Sequence, residues 1–161
     1  MRLIVADTSP LYYLLLIDQI DLLPRLFGTV FIPAAVHKEM CHPAAPPRVR
    51  EWAAHPPAWV EIASVTLRDD DGLQALGAGE RAAITLASSM RADLILIDER
   101  KGTQAALQRG FETTGTLGVL RLASRRGLIN LAESFDLLKR TNFRSRQHIR
   151  DQLLDEASRD R

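Results

Sequence analysis

Apolar runs with no polar break are the tightest constraint on how this chain folds. "RLIVA" (2–6) and "DLILI" (93–97) show no alternation of polar and apolar side chains. A strand of that kind is covered on both faces, as in a parallel sheet packed between helices. "TVFIP" (29–33) is a second run and "FETTG" (111–115) a short fifth. "WVEIASV" (59–65) is a third strand with some alternation.

Helical segments fall between these runs. "LYYLLLID" (11–18) and "LLPRLFG" (22–28) follow the first strand, with Ser9 as hydroxyl cap and Pro10 at the first helical position. Pro33 opens "AAVHKEMC", "HPAAPP" is a rigid break, and "RVREWAA" is a short helix. "RDDDG" (68–72) is a solvated loop. "GAGERAAITLASSM" (77–90) carries a stripe of Ala82, Ala83, Leu86, Ala87 and Met90, suited to close packing on a sheet. Gly110 and Gly127 close the helices "RKGTQAALQRG" and "TLGVLRLASRRG". Two amphipathic helices, "LAESFDLLKRTN" and "RSRQHIRDQLLDEASR", end the chain. The alternation predicts a three-layer α/β/α fold, with a central parallel sheet of about five strands and C-terminal helices.

At 161 residues the expectation is one domain over 1–161, with the helices of 130–157 inside it. No apolar run is long enough to cross a bilayer, and "MRLIVADTSP" lacks the pattern of a signal peptide. The single cysteine, Cys41, excludes an internal disulfide and suits a reducing cytoplasm. A net charge of +1 hides an asymmetry. Residues 1–99 carry 8 Lys+Arg against 13 Asp+Glu, and residues 100–161 carry 13 against 7. That split is compatible with an acidic site facing a basic rim, and equally with signs that merely segregate on the surface.

Asp7 and Asp98 sit at the carboxyl ends of the first and fourth strands. If those strands are neighbours, the two carboxylates share one edge of the sheet, where ligands of open α/β sheets bind. Glu80 opens the helix leading into strand four, and Glu39 lies on the helix after strand two. Two carboxylates about 5 Å apart repel by roughly 3 kcal/mol at an effective dielectric of 20. Four such acids take up protons or a cation, and hard oxygen ligands suit Mg²⁺ or Mn²⁺. Taken singly, each acid has a bland reading: strand end, helix first turn, solvated face. Glu99 reads as a solvated neighbour rather than a ligand.

"VADTSPL", the glutamate of "IPAAVHKEM", "GAGERAAITLA" and "ADLILIDERKG" occur in the order and approximate spacing of PIN-domain ribonucleases. "GTLGVLRLASRRGLI" (115–129) resembles the branch of that family containing the VapC toxins of toxin–antitoxin pairs. The resemblance covers about residues 3–155. It implies a Mg²⁺- or Mn²⁺-dependent endoribonuclease with Asp7, Glu39, Glu80 and Asp98 as its acidic site. Thr8, Ser9 and Thr116 are the hydroxyl residues it places around that site. Many members have aspartate where this chain has Glu80. The resemblance also implies an RNA substrate and an antitoxin protein partner. A homodimer face built from Tyr12, Tyr13, Leu16 and Ile17 competes with plain core burial of the same residues. Arg100 and Lys101 are candidates for phosphate contacts, and Arg121, Arg125, Arg126, Lys139 and Arg140 for a wider basic rim.

Rival readings are weaker. A dehalogenase-like phosphatase wants a second aspartate where Ser9 stands, a response-regulator receiver lacks its lysine, and "DTSP" is no glycine-rich dinucleotide turn. His37, Cys41 and His42 lack an evident fourth zinc ligand. Trp52 and Trp59 read as core edge. A PIN fold that only binds nucleic acid or protein is the non-catalytic alternative.

Overall fold

The computed structural model describes residues 2–69, 72–144 and 147–159, with the backbone alone for 147–150. The expected loop at 68–72 and the start of the last helix fall partly outside these residues. Five strands form one sheet in the order β3-β2-β1-β4-β5, every neighbouring pair parallel. They are β1 (Ile4–Ala6), β2 (Val30–Pro33), β3 (Val60–Ala63), β4 (Leu94–Leu96) and β5 (Glu112–Thr114). The register sets Ile4 beside both Val30 and Leu94.

Period-two alternation sorts the central strands between two cores. Ile4, Ala6, Leu94 and Leu96 point into one, Val5, Ile95 and Ile97 into the other. On the first face lie α1 (Thr8–Leu16), α2 (Leu22–Phe27), α4 (Pro47–Ala54), α7 (Thr116–Arg125) and α8 (Leu131–Lys139). On the second lie α5 (Ala78–Met90) and α6 (Arg100–Gln108). The small stripe of α5 behaves as expected, with Ala82, Ala83, Leu86 and Ala87 buried. α3 (Ala34–Met40) packs on both α1 and α5. α9 (Gln147–Arg159) lies on α7 and α8. This is the expected three-layer α/β/α fold.

Two local expectations need correction. α1 begins at Thr8, not after Ser9, and Asp7 occupies the cap position without a side-chain cap bond. The reason is the ladder: the Asp7 amide still bonds the Leu96 carbonyl at 2.8 Å, so the helix must start at the next residue. Pro10 then falls third in the helix, where its missing N–H costs nothing because first-turn amides have no intrahelical partner. β3 ends at Ala63 rather than at residue 65, because its partner β2 ends at Pro33. No helix among the described residues is long and apolar enough to cross a membrane.

Phe135 on α8 is 1% exposed inside the first core. Phe135→Ala is expected to cost about 3–5 kcal/mol in urea denaturation. A loss under 1 kcal/mol would mean that α8 does not share that core.

Candidate acidic site

Parallel strands put all their carboxyl ends on one edge, and β1 is central there. Asp7 follows β1 directly, and Asp98 lies two residues beyond β4. α3 carries Glu39 upward from the end of β2. α5 runs back against the strands, so its first turn, with Glu80, lies at the same edge.

Asp7 is 3% exposed, and its Oδ1 is buried with no hydrogen-bond partner among the described residues. Burial pushes its pKa up to about 7, against a lowering bond from the Thr8 amide. The charges of Glu80, Glu39 and Asp98 raise it further, so the other three acids all act on Asp7. Asp98 is also raised by burial, but its oxygens are held. The Thr116 amide donates to Oδ1 at 2.7 Å and the Thr116 hydroxyl to Oδ2 at 2.6 Å. The Ser9 hydroxyl bonds the same carboxylate. Thr8 donates its hydroxyl to Glu39 Oε2 at 2.7 Å, tying α1 to α3. Thr8, Ser9 and Thr116 therefore all contact an acid of the cluster or its neighbour.

Asp7, Glu39 and Glu80 open into a hollow of about 300 Å³ whose wall also includes Ser9, Tyr12, Tyr13 and Glu99. Asp98 is not among the residues lining that hollow. Two glycines make room for the acids. A Cβ on Gly79 would stand 2.8 Å from Glu39 Oε1 and 3.0 Å from Asp7 Oδ1. A Cβ on Gly115 would collide with Asp98 Oδ1. Any other residue at either position pushes a carboxylate away.

Sequence reasoning missed the part played by Glu99. It is the N-cap of α6, accepting the Gly102 amide at 2.6 Å, while its side chain also faces the hollow. It missed Gly79 and Gly115 as well, although two glycines in "GAGE" are an unusual helix start. Tyr12, Tyr13 and Leu16 pack half-buried against the chain's own core and Ile17 is 4% exposed. His37 Nε2 lies 2.8 Å from the Ala53 carbonyl and 3.6 Å from Cys41 Sγ, so its ring closes a helix pair. Trp52 and Trp59 pack on each other at 5.9 Å.

The basic candidates separate. Arg100 and Lys101 are exposed on the first turn of α6, beside the acids, and form no ion pair among the described residues. Two residues of the wider rim, Arg121 and Arg125, do not line the acid hollow. They line a different hollow with Arg2, Leu94 and Glu112, at the edge where strands start. Arg121 is paired to Glu156 at 2.6 Å, and Lys139 lies 3.9 Å from Asp136.

Fold and acids together define an α/β protein built around a carboxylate cluster at the mouth of its sheet. A family model described as a PIN domain matches residues 3–159, and the chain belongs to that family. PIN domains are generally nucleases, and those nucleases generally use divalent metals. No curated protein and no solved structure matched the chain.

A raised carboxyl pKa means that the folded state binds its proton more tightly than the unfolded one. Between about pH 4 and pH 7 the folded protein therefore carries more protons, and stability falls as pH rises through that window. The full effect of Asp7 is roughly 4 kcal/mol. Urea denaturation in EDTA at pH 5 and pH 8 should show roughly 2.5 kcal/mol of this loss, and Asp7→Asn should remove most of it. An unchanged slope in Asp7→Asn would place the cost elsewhere. Glu99→Ala should cost about 1 kcal/mol through the lost cap of α6, measurable in the same way.

Proposed function

We propose that this chain is a Mg²⁺- or Mn²⁺-dependent endoribonuclease of single-stranded RNA, and the toxin of a VapC-like toxin–antitoxin pair. The observation that carries the reading is Asp7 Oδ1, a buried carboxylate oxygen that the fold leaves without a partner among three other acids. An oxygen in that state needs a proton or a cation. The donor set of Asp7, Glu39, Glu80 and Asp98 is all hard oxygen, which fits Mg²⁺ or Mn²⁺.

The fit requires side-chain movement. Among the described residues, no three acid, imidazole or thiol groups stand close enough to hold an ion together. Glu39 is exposed and Glu80 half-buried, so both can swing inward by rotamer change, whereas Asp7 is buried and Asp98 is held by Thr116. An ion bound there supplies a polarised water and positive charge for the leaving oxygen of a phosphodiester. Asp7 and Asp98 are then the fixed ligands, and Glu39 and Glu80 the adaptable ones. Thr116 and Ser9 oppose the upward push of burial on Asp98 and aim its oxygens. Arg100 and Lys101 meet the RNA backbone, a contact that carries no sequence information.

The toxin assignment rests on the "GTLGVL" resemblance. An antitoxin segment would fill the hollow beside the acids and deny it to RNA. Homodimer formation and a cytoplasmic setting belong to the same reading.

The test is cleavage of an end-labelled, mixed-sequence single-stranded RNA with Mg²⁺, Mn²⁺ or EDTA. Cutting should need the metal. Thr116→Val should slow it about 10–100-fold, as loss of an outer contact to a metal ligand does. Asp7→Asn and Asp98→Asn should slow it further still. Cutting that persists in EDTA, or in Asp7→Asn, overturns the metal site.

A further inference from the structure

An aromatic pair stands where the acid cluster gives it no reason to be. Tyr12 and Tyr13 form part of the wall of the hollow that Asp7, Glu39 and Glu80 face. The face of an aromatic ring is electronegative, so carboxylates are poor neighbours for it. Both rings touch the core at their edge, while Leu11, Leu14 and Leu15 of the same helix are buried in it.

The two rings are not equivalent. Tyr13 is fixed from three sides. Its hydroxyl donates to Asn142 Oδ1 at 2.8 Å, the Phe143 ring meets it edge-on at 4.9 Å, and Tyr12 at 5.0 Å. Tyr12 leans on this braced ring, and its own hydroxyl finds no hydrogen-bond partner among the described residues. It is half-buried and lines the hollow. Tyr12 follows Asp7 by five residues, about 7 Å of rise along the helix axis at about 1.5 Å per residue, and shares the hollow with it.

We propose that Tyr12 is a base-stacking residue, whose braced ring receives the base of the nucleotide next to the phosphate held at the acids. The proposal rests on the ribonuclease reading above. A ring of this kind prefers single-stranded RNA, because only unpaired bases offer a free face, and it tolerates any base. The acids then place the phosphate, and Tyr12 sets which nucleotide lies beside it.

The test is binding rather than cleavage, in Ca²⁺, by fluorescence anisotropy. The probes are labelled hexa-uridylate, labelled hexa-adenylate and the same ribose-phosphate hexamer without bases. Tyr12→Phe should bind like the wild type. Tyr12→Leu keeps apolar bulk but has no flat face, and should weaken both based hexamers about tenfold. It should leave the baseless hexamer unchanged. Equal binding of based hexamers by Tyr12→Leu and wild type, or equal loss on the baseless one, overturns the stacking role alone. A wild type that binds no hexamer overturns the RNA reading with it. A 2-aminopurine hexamer tests the wild type without any substitution. Its fluorescence should be quenched on binding, and binding without quenching overturns the proposal.

Discussion

The site hangs on one unfavourable burial. Asp7 ends the central strand, with helices packed over both faces of the sheet, and its carboxyl is driven up to about 7. Burying a carboxylate without a partner costs several kcal/mol, more than most single contacts return. The neighbours relieve it only in part, through the Thr8 amide. Thr8 turns its hydroxyl to Glu39, and Thr116 and Ser9 turn theirs to Asp98. Gly79, where a Cβ would touch both Asp7 Oδ1 and Glu39, carries no side chain. Strain of this kind survives where the surrounding structure over-determines it, and it collects at functional sites.

The two fixed acids are held by different means, and that difference shapes the chemistry. Asp98 has both oxygens hydrogen-bonded, so its geometry is set by a helix start: the first residue of α7 gives both its amide and its hydroxyl. Asp7 is set by the sheet, since its amide still belongs to the β1–β4 ladder. Neither can move far without breaking main-chain hydrogen bonds. Glu39 and Glu80 sit on helix surfaces with longer side chains and can adjust. A rigid pair with an adaptable pair suits a site whose occupant changes during a reaction.

Much of this was legible in the sequence, for reasons that can be named. Unbroken apolar runs revealed parallel strands because burial on both faces erases polar alternation. The acids were legible because each stands at a strand end or helix start, positions fixed by the pattern itself. The adjacency of β1 and β4 was not, since strand order depends on crossovers that no local signal encodes. The Ser-Pro start of α1 misled because the ladder reaches one residue past the apolar run. Glu99 hid because helix caps are usually Ser, Thr, Asp or Asn, and a glutamate in that role looks like any solvated acid. Tyr12 and Tyr13 were ambiguous for a different reason. Which side of α1 meets the core is decided by its packing on α3, α4 and α7, the last about a hundred residues away.

The charge asymmetry along the chain resolves differently in space than it reads in sequence. The excess of positive charge after residue 99 suggests a broad basic rim. Yet α7 begins at the acids with Thr116 and carries Arg121 and Arg125 away from them, to the edge where β4 and β5 start. There Arg2 pairs with Glu112 and Arg121 with Glu156, so part of the charge is neutralised locally. Arg100 and Lys101 are left near the acids because α6 starts where β4 delivers Asp98. A helix N-terminus is a poor place for cations, since the helix dipole disfavours positive charge there. Two adjacent cations at that position, with Glu99 as the cap before them, oppose the helix they open. The opposition is removed when a polyanion lies across the acid edge, because phosphate is what a helix N-terminus and two free cations both favour.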